Sequence, residues 1–311
     1  MSEPSVVAVN KRNFSVISIG KPAFEMLGKT PASIIAIRPM KDGVIAEFDI
    51  AKKMIEAFIN KTKKKGAITK PRIIIGIPWG ITAVEKRAVS EAAYCAGAKE
   101  VYLIDEPMAA ALGAYLPIQM PGGQLLIDVG GGTTEVAVIS LYGIVICKSI
   151  RIAGDTFDDA IVKHCKKNYN LIISETMAER IKIQIGSATP FTEEKEMNVK
   201  GRNMLNGLPQ SFTLSSFEIR DAISHCIDSI VSTVKLTLEQ TPPELSGDIL
   251  NNGVLLTGGG ALLYGLDESI SQKTGLTVRI AEDPLNCVAK GTGMILEDKD
   301  LFKNVSASIS K

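Results

Sequence analysis

The chain has 311 residues, of which 45% are hydrophobic and 22% are charged, and its formal net charge is +1. This length predicts about two domains, each large enough for a core of its own. The near-zero net charge excludes a global field that would recruit nucleic acid or acidic lipid. The five cysteines are scattered without a Cys-x-x-Cys pair, and no apolar run is as long as a membrane span, so we expect a cytoplasmic protein.

The N-terminal third of the sequence predicts short strands that alternate with helices. Apolar runs predict strands over residues 5–9, 14–19, 34–37 and 72–78, and helical periodicity predicts a helix over residues 50–59. The segment from Thr82 to Glu85 has the spacing of a capping box and predicts a second helix that runs to Ala96.

A lysine-rich segment separates the first of these helices from the strand at residues 72–78. One interpretation is a solvated loop. The other is a loop that touches a membrane, since clustered lysines beside an exposed apolar residue bind weakly to an anionic bilayer. In that second interpretation Lys63, Lys64, Lys65 and Ile68 are the membrane contacts.

Glu106 follows a predicted buried strand, Val101 to Ile104. Ligands of open α/β sheets bind at the carboxyl ends of strands, so Glu106 is a candidate general base or water-orienting group. The alternative is a structural carboxylate at the N-terminus of the alanine-rich helix that follows, where it complements the helix dipole. The spacing alone leaves both interpretations open.

A glycine-rich turn lies between two apolar runs, Leu125 to Val129 and Val136 to Ile139, which predict strand, turn and strand. Glycines can take positive φ and turn their N–H groups into one concavity that accepts an anion, and Mg²⁺ favours carboxylate oxygens. A plain hairpin without a ligand is the alternative. The candidate ligand-binding residues are Asp128 for the metal, with Gly130, Gly131, Gly132, Thr133 and Thr134 for the phosphates.

The second half predicts helices over residues 153–169, 174–187 and 216–239 and a second strand that ends in three glycines. Glu179 and Lys182 are three residues apart on one helix face, where they form a surface salt bridge or bracket a polar heterocycle. The second triple glycine is expected to begin a helix and to suit the flat or phosphate parts of a nucleotide. It consists of Gly258, Gly259 and Gly260.

Four segments together resemble the actin, Hsp70 and sugar kinase superfamily and, within it, the MreB family of bacterial actin homologues that determine cell shape. They are residues 103–111, 128–135, 178–182 and 256–261. The resemblance runs almost from end to end of the chain. It implies an α/β, actin-like ATPase fold with two lobes, each with a central mixed sheet and a small subdomain. Residues 1–116 and about 284–311 would form the first lobe, and residues 117–283 the second, with its small subdomain at about 156–228.

The resemblance also implies roles for individual residues. ATP or ADP with Mg²⁺ would lie in the cleft, and Asp128 would contact the metal through water. Glu106 would activate the attacking water, with Thr133 helping to place it. The remaining residues would bind the nucleotide: Gly130 to Thr134 as a phosphate loop, Gly154 near the phosphates, and Glu179, Lys182 and Gly258 to Gly260 around the adenosine.

The resemblance implies a filament that assembles from copies of this chain with ATP, lies under the cytoplasmic membrane, and organises cell-wall synthesis and rod shape. Its other partners would be proteins of the shape complex. A small-molecule kinase or phosphohydrolase of the same superfamily and an inactive, truncated paralogue are the alternatives. A kinase would need a substrate base and pocket, which the sequence does not reveal.

This sequence departs from the family pattern at its N-terminus. Members of the family begin with a β-hairpin that carries an Asp-x-Gly-Thr phosphate loop, ahead of the segment equivalent to Glu3-Pro4-Ser5. The resemblance therefore implies a first lobe that is incomplete at its N-terminus, with exposed strand edges. A start codon assigned too far downstream and a short paralogue are both open explanations.

Overall fold

The computed structural model describes residues 1–62 and 69–310, which divide by their contacts into two compact units. The first unit comprises residues 1–104 with the terminal strand, and the second comprises residues 105–308. The proposed membrane contacts Lys63, Lys64, Lys65 and Ile68 lie outside the described residues. Among the described helices, none is long and apolar enough to cross a bilayer.

The described part of the smaller unit, residues 1–62 and 69–104 with the terminal strand, contains three sheets. Its strands are β1 (Val7–Asn10), β2 (Val16–Ile19), β3 (Ile34–Ile37), β4 (Met40–Lys41), β5 (Val44–Ile45), β6 (Arg72–Ile77) and β7 (Glu100–Asp105), and its helices are α1 (Lys21–Glu25), α2 (Phe48–Thr62) and α3 (Ala83–Cys95). Strand β1 pairs antiparallel with both β2 and β3, and β4 and β5 form a hairpin. The predicted capping box is confirmed, because the Thr82 hydroxyl accepts from the Glu85 N–H while the Glu85 carboxylate accepts from the Thr82 N–H.

The larger unit contains a five-stranded mixed sheet and a three-stranded antiparallel one. Its strands are β8 (Gln124–Val129), β9 (Thr134–Ser140), β10 (Gly143–Ile150), β11 (Leu171–Ile172), β12 (Glu196–Asn203), β13 (Pro209–Ser215), β14 (Val254–Thr257) and β15 (Val278–Ile280). Its helices are α4 (Glu106–Gly113), α5 (Gly154–Tyr169), α6 (Glu175–Ile185), α7 (Ser216–Glu239), α8 (Pro243–Asn252), α9 (Leu266–Thr274), α10 (Cys287–Glu297) and α11 (Lys299–Asn304). Strand β16 (Ile309–Ser310) then pairs with β7.

The order of the five-stranded sheet places both glycine turns side by side. Strands β10, β9 and β8 are antiparallel neighbours, whereas β8, β14 and β15 are parallel, in the order β10-β9-β8-β14-β15. Because Thr257 of β14 is aligned with Asp128 of β8, the two strands end at the same edge. All residues of β8, β9 and β14 are buried, as expected for central strands packed on both faces.

Helices α4 and α10 pack so closely that their backbones touch. A Cβ atom on Gly113 would lie 1.8 Å from the carbonyl oxygen of Cys287, and one on Gly291 would lie 1.9 Å from that of Ala109. Both helices belong to the larger unit, which begins at Asp105, one residue before α4. The lobe and subdomain boundaries implied by the family resemblance remain a prediction.

The helix contact predicts opposite effects for two alanine substitutions in α10. We expect Gly291→Ala to destabilise the protein by roughly 1 to 3 kcal/mol or more, because the new methyl group meets backbone that cannot rotate away. Gly293 has no atom within 4 Å of a built Cβ. Gly293→Ala should therefore be neutral or stabilising by about 1 kcal/mol through helix propensity. Urea unfolding of both variants measures the difference, and equal effects would contradict the packing argument.

Candidate functional site

The first glycine turn joins β8 to β9 and receives the N-terminus of α5. The N–H of Gly130 donates to the carbonyl of Thr133 at 2.9 Å and closes the turn. The carbonyls of Gly130 and Gly131 accept hydrogen bonds from the N–H groups of Gly154 at 3.1 Å and Asp155 at 2.8 Å, respectively. Glycine can take a positive φ, but Gly130 and Gly131 do not, since their φ values lie outside the left-handed region. A Cβ on Gly130 would lie 3.2 Å from the Thr133 carbonyl oxygen, whereas one on Gly131 would meet only the Asp155 carboxylate oxygens at 4.0 Å.

The start of α5 lies against the first glycine turn at Gly154, where a built Cβ would make ordinary contacts. A Cβ there would lie 3.4 Å from both the Gly130 carbonyl oxygen and the Nζ of Lys182. The hydroxyl of Thr134 does not face a ligand, because it donates to the carbonyl of Ile152 at 2.6 Å. It thereby joins the turn to the chain that leads into α5.

The second glycine turn is pressed against the end of β8. Gly258 has a φ of +83°, and a Cβ there would lie 2.2 Å from the Val129 carbonyl oxygen. Gly260 is equally close to the Val129 side chain, with 2.2 Å between a built Cβ and Cγ1. The expected helix begins at the glycines as a 3₁₀ helix and not as an α-helix. A short 3₁₀ turn covers Gly259–Leu262, and α9 begins only at Leu266.

A cavity of about 490 Å³ opens between the two turns and helices α5 and α6. It lies within the larger unit, and seven of the site residues predicted from the sequence line it. They are Gly130, Gly131, Gly154, Glu179, Lys182, Gly259 and Gly260. The other selected residues, Glu106, Asp128, Gly132, Thr133, Thr134 and Gly258, are not among the residues that line it.

The wall of this cavity also includes apolar residues that the sequence did not select. Leu262 and Leu285 are exposed, and Phe191 stacks on Tyr264 with 4.3 Å between the ring centroids. In the sequence these residues are indistinguishable from core positions of neighbouring elements. Only the fold shows that they face a cavity, where an exposed apolar wall suits a flat heterocycle.

Lys182 pairs across the cavity wall with an aspartate on α5. Its Nζ donates to Oδ2 of Asp158 at 2.9 Å and to the carbonyl of Gly154 at 2.9 Å. The salt bridge of Lys182 is therefore not the intrahelical one with Glu179 that the spacing suggested. Asp158 was not predicted from the sequence, because residue spacing within one helix indicates partners on that helix only, and Asp158 lies on α5 whereas Lys182 lies on α6.

Three carboxylates converge at the end of β8. Glu106 is the first residue of α4, and Asp128 and Glu135 are directly opposite each other on β8 and β9. One oxygen from each lies within 4.8 Å of the others. Glu106 and Asp128 were predicted from the sequence as site residues, but Glu135 was not. Its position as the one charged residue in the apolar strand β9 could have indicated a functional role.

Burial raises the pKa of two of these carboxyl groups, those of Glu106 and Asp128. Burial is the larger cause for Glu106, and the neighbouring Asp128 carboxylate raises the pKa further. For Asp128 burial raises the pKa to about 6, although the Thr257 hydroxyl, which donates to Oδ1 at 3.1 Å, opposes this. A cation beside the cluster would favour the ionised forms. Carboxylate oxygens are the ligands that Mg²⁺ prefers, so the donor set fits that ion.

The chain is similar to known proteins over almost its whole length. The model of the family described as MreB/Mbl protein matches residues 1–304. The cell shape-determining protein MreB of Escherichia coli (strain K12) is 50% identical over 306 residues, which cover 97% of this chain and 88% of that protein. The cell shape-determining protein Mbl of Bacillus subtilis (strain 168) is 46% identical over 300 residues, covering 96% and 90%.

Solved structures give the same result. The crystal structure of MreB5 of Spiroplasma citri bound to AMPPNP has a TM-score of 0.91 and 38% identity, and covers 98% of this chain and 91% of that one. The MamK double helical filament has a TM-score of 0.80 over 94% and 91% of the two chains, and at 20% identity it shows the fold alone. The fold is therefore actin-like, as predicted, and the chain belongs to the MreB/Mbl family.

Proposed function

We propose that this protein is an actin-like ATPase that polymerises with ATP into cytoskeletal filaments, which maintain rod shape by organising cell-wall synthesis. The cavity between the two glycine turns is the observation that carries the proposal, since backbone approaches it from two sides and three carboxylates lie at the end of the same strand. Membership of the MreB/Mbl family and the nucleotides named for the MreB5 structures support it.

The nucleotide would lie with its phosphates at the first glycine turn and its adenosine at the second. Gly130 and Gly131 leave room for phosphate oxygens because they carry no side chains, and the start of α5 lies beside them. Gly259 and Gly260 would face the base or ribose, with the apolar wall of Leu262 and Leu285 beside them. Glu179 and Lys182 would add polar contacts from α6. Gly258, Gly132 and Thr134 would hold the shape of the two turns.

Hydrolysis would depend on Glu106. A carboxyl group whose pKa is raised by burial is suited to accept a proton near neutral pH, and Glu106 is held at the start of a buried helix. Thr133, in the turn beside Asp128, would help to place the attacking water. Asp128, with Glu135 beside it, would hold a hydrated Mg²⁺, which supplies charge neutralisation for the phosphates when bound.

A role as a filament predicts that ATP controls assembly. We expect the wild-type protein to sediment with Mg-ATP and to remain in solution without nucleotide. Glu106→Gln, which keeps the size of the side chain but cannot accept the proton, should lower ATP hydrolysis about 100-fold and leave a more persistent polymer. Glu244→Gln changes an exposed glutamate on α8 by the same chemistry and is the matched control.

High-speed sedimentation and phosphate release are measured on the same samples. If the protein binds ATP but never pellets, and consumes ATP only with an added acceptor, the small-molecule kinase alternative replaces the filament. A protein that neither binds ATP nor pellets would be an inactive form.

We further propose that the filament lies on the cytoplasmic membrane through the lysine-rich segment that includes Lys63, Lys64, Lys65 and Ile68. The support is the composition of the segment, since each lysine near an anionic surface contributes about 1 kcal/mol. Proteins of the shape complex would be further partners.

The membrane role predicts a dependence on charge that vesicles can measure. Replacing Lys63, Lys64 and Lys65 by serine should lower binding to vesicles that contain anionic lipid at least about tenfold, and salt should weaken wild-type binding. The control replaces Lys299 and Lys303 of α11, both exposed, by serine. Equal binding of both variants in a flotation assay would remove this segment as the anchor.

A further inference from the structure

An ion pair between a buried aspartate and a partly buried lysine joins α5 to α6 at the wall of the cavity. The ammonium group of Lys182 donates to Oδ2 of Asp158 and to the carbonyl of Gly154, and both distances are 2.9 Å. A lysine ammonium has three N–H donors, so these two bonds leave a third. Lys182 lines the cavity, whereas Asp158 does not. The aspartate therefore acts on the cavity only through the lysine.

The carboxylate of Asp158 is poorly explained by stability of the fold. The residue is only 8% exposed, and among the described residues its Oδ1 atom has no hydrogen-bond partner. A buried acceptor without a partner costs free energy, and a buried ion pair is often replaceable by apolar side chains without loss of stability. A charge kept at such a position points to a use in binding.

We propose that Asp158 is a positioning residue of the nucleotide site, where it fixes the Lys182 ammonium beside the Gly154 carbonyl with one N–H donor directed to the ligand. This inference rests on the nucleotide-binding function proposed above. Four rotatable bonds would otherwise let the lysine adopt many conformations, and binding would have to order it. With Asp158 ionised, that ordering is already present before the nucleotide arrives.

The arrangement predicts a pH dependence. The groups that face Asp158 are Lys182 and Glu179 on α6 and Asp155 on its own helix. Burial raises the pKa of Asp158 to about 6, the charge and hydrogen bond of Lys182 lower it, and Glu179 and Asp155 raise it further. Asp158 is therefore ionised above about pH 6 and protonated below it. Its help to nucleotide binding is present at higher pH and is lost as the pH falls through that value.

The test compares the affinity for Mg-ADP of wild type, Asp158→Asn and Asp159→Asn by calorimetry at about pH 7.5 and about pH 5. Asp159 is an exposed neighbour on α5 and provides the same charge change away from the cavity. We expect Asp158→Asn to bind about tenfold more weakly at the higher pH and to approach wild type at the lower one. Asp159→Asn should follow wild type at both. Ligand phosphates titrate equally in all three proteins, so the ratio of affinities is the readout.

The outcomes distinguish a failure of the proposed function from a failure of the positioning role of Asp158. If wild type binds no nucleotide, the proposed function fails. If wild type binds and Asp158→Asn has the same affinity and pH profile, the positioning role is overturned while the proposed function stands. Should Asp158→Asn not fold, wild type and Lys182→Met decide. Their affinity ratio must shrink as the pH falls, and a constant ratio overturns the role of Asp158.

Discussion

The close contact between the second glycine turn and the end of β8 is the constraint on which the rest of the site depends. Gly258 lies against the carbonyl of Val129, and Gly260 lies against its side chain, at distances that exclude any Cβ. Because β8 and β14 are parallel neighbours that end together, this contact brings the two turns to one edge of the sheet. The cavity exists between them because neither turn carries side chains that would fill it.

The chemistry of the larger unit depends on carboxylates that burial makes expensive to ionise. Burial is the largest cause of the raised pKa at Glu106, Asp128 and Asp158 alike. A cation or a fixed hydrogen-bond donor stabilises the ionised form of such a buried carboxyl group. The site therefore favours a positively charged ligand over a neutral one. The hydroxyl of Thr257 and the ammonium of Lys182 already provide part of that compensation.

The sequence predicted the elements of this site well because its signals are local. Apolar runs, the capping box at Thr82 and the glycine turns depend on neighbours in the chain, and the strands and helices that they predict are present. The missed residues depend on neighbours in space. Asp158 meets Lys182 from another helix, and Glu135 meets Asp128 through strand register. The φ values of Gly130 and Gly131 could not be predicted from the sequence either, since glycine permits both signs of φ.

The backbone contact between α4 and α10 has a consequence for how the sequence can vary. The N–H of Gly258 donates to the carbonyl of Pro284, three residues before α10, and α10 in turn touches α4, whose first residue is Glu106. Main-chain atoms make each step of this path, so no rotamer change can absorb a substitution. We therefore expect substitutions to be tolerated on the outer faces of these helices and not at Gly113 and Gly291, which are limited by the α4–α10 contact, or at Gly258, which is limited by Val129.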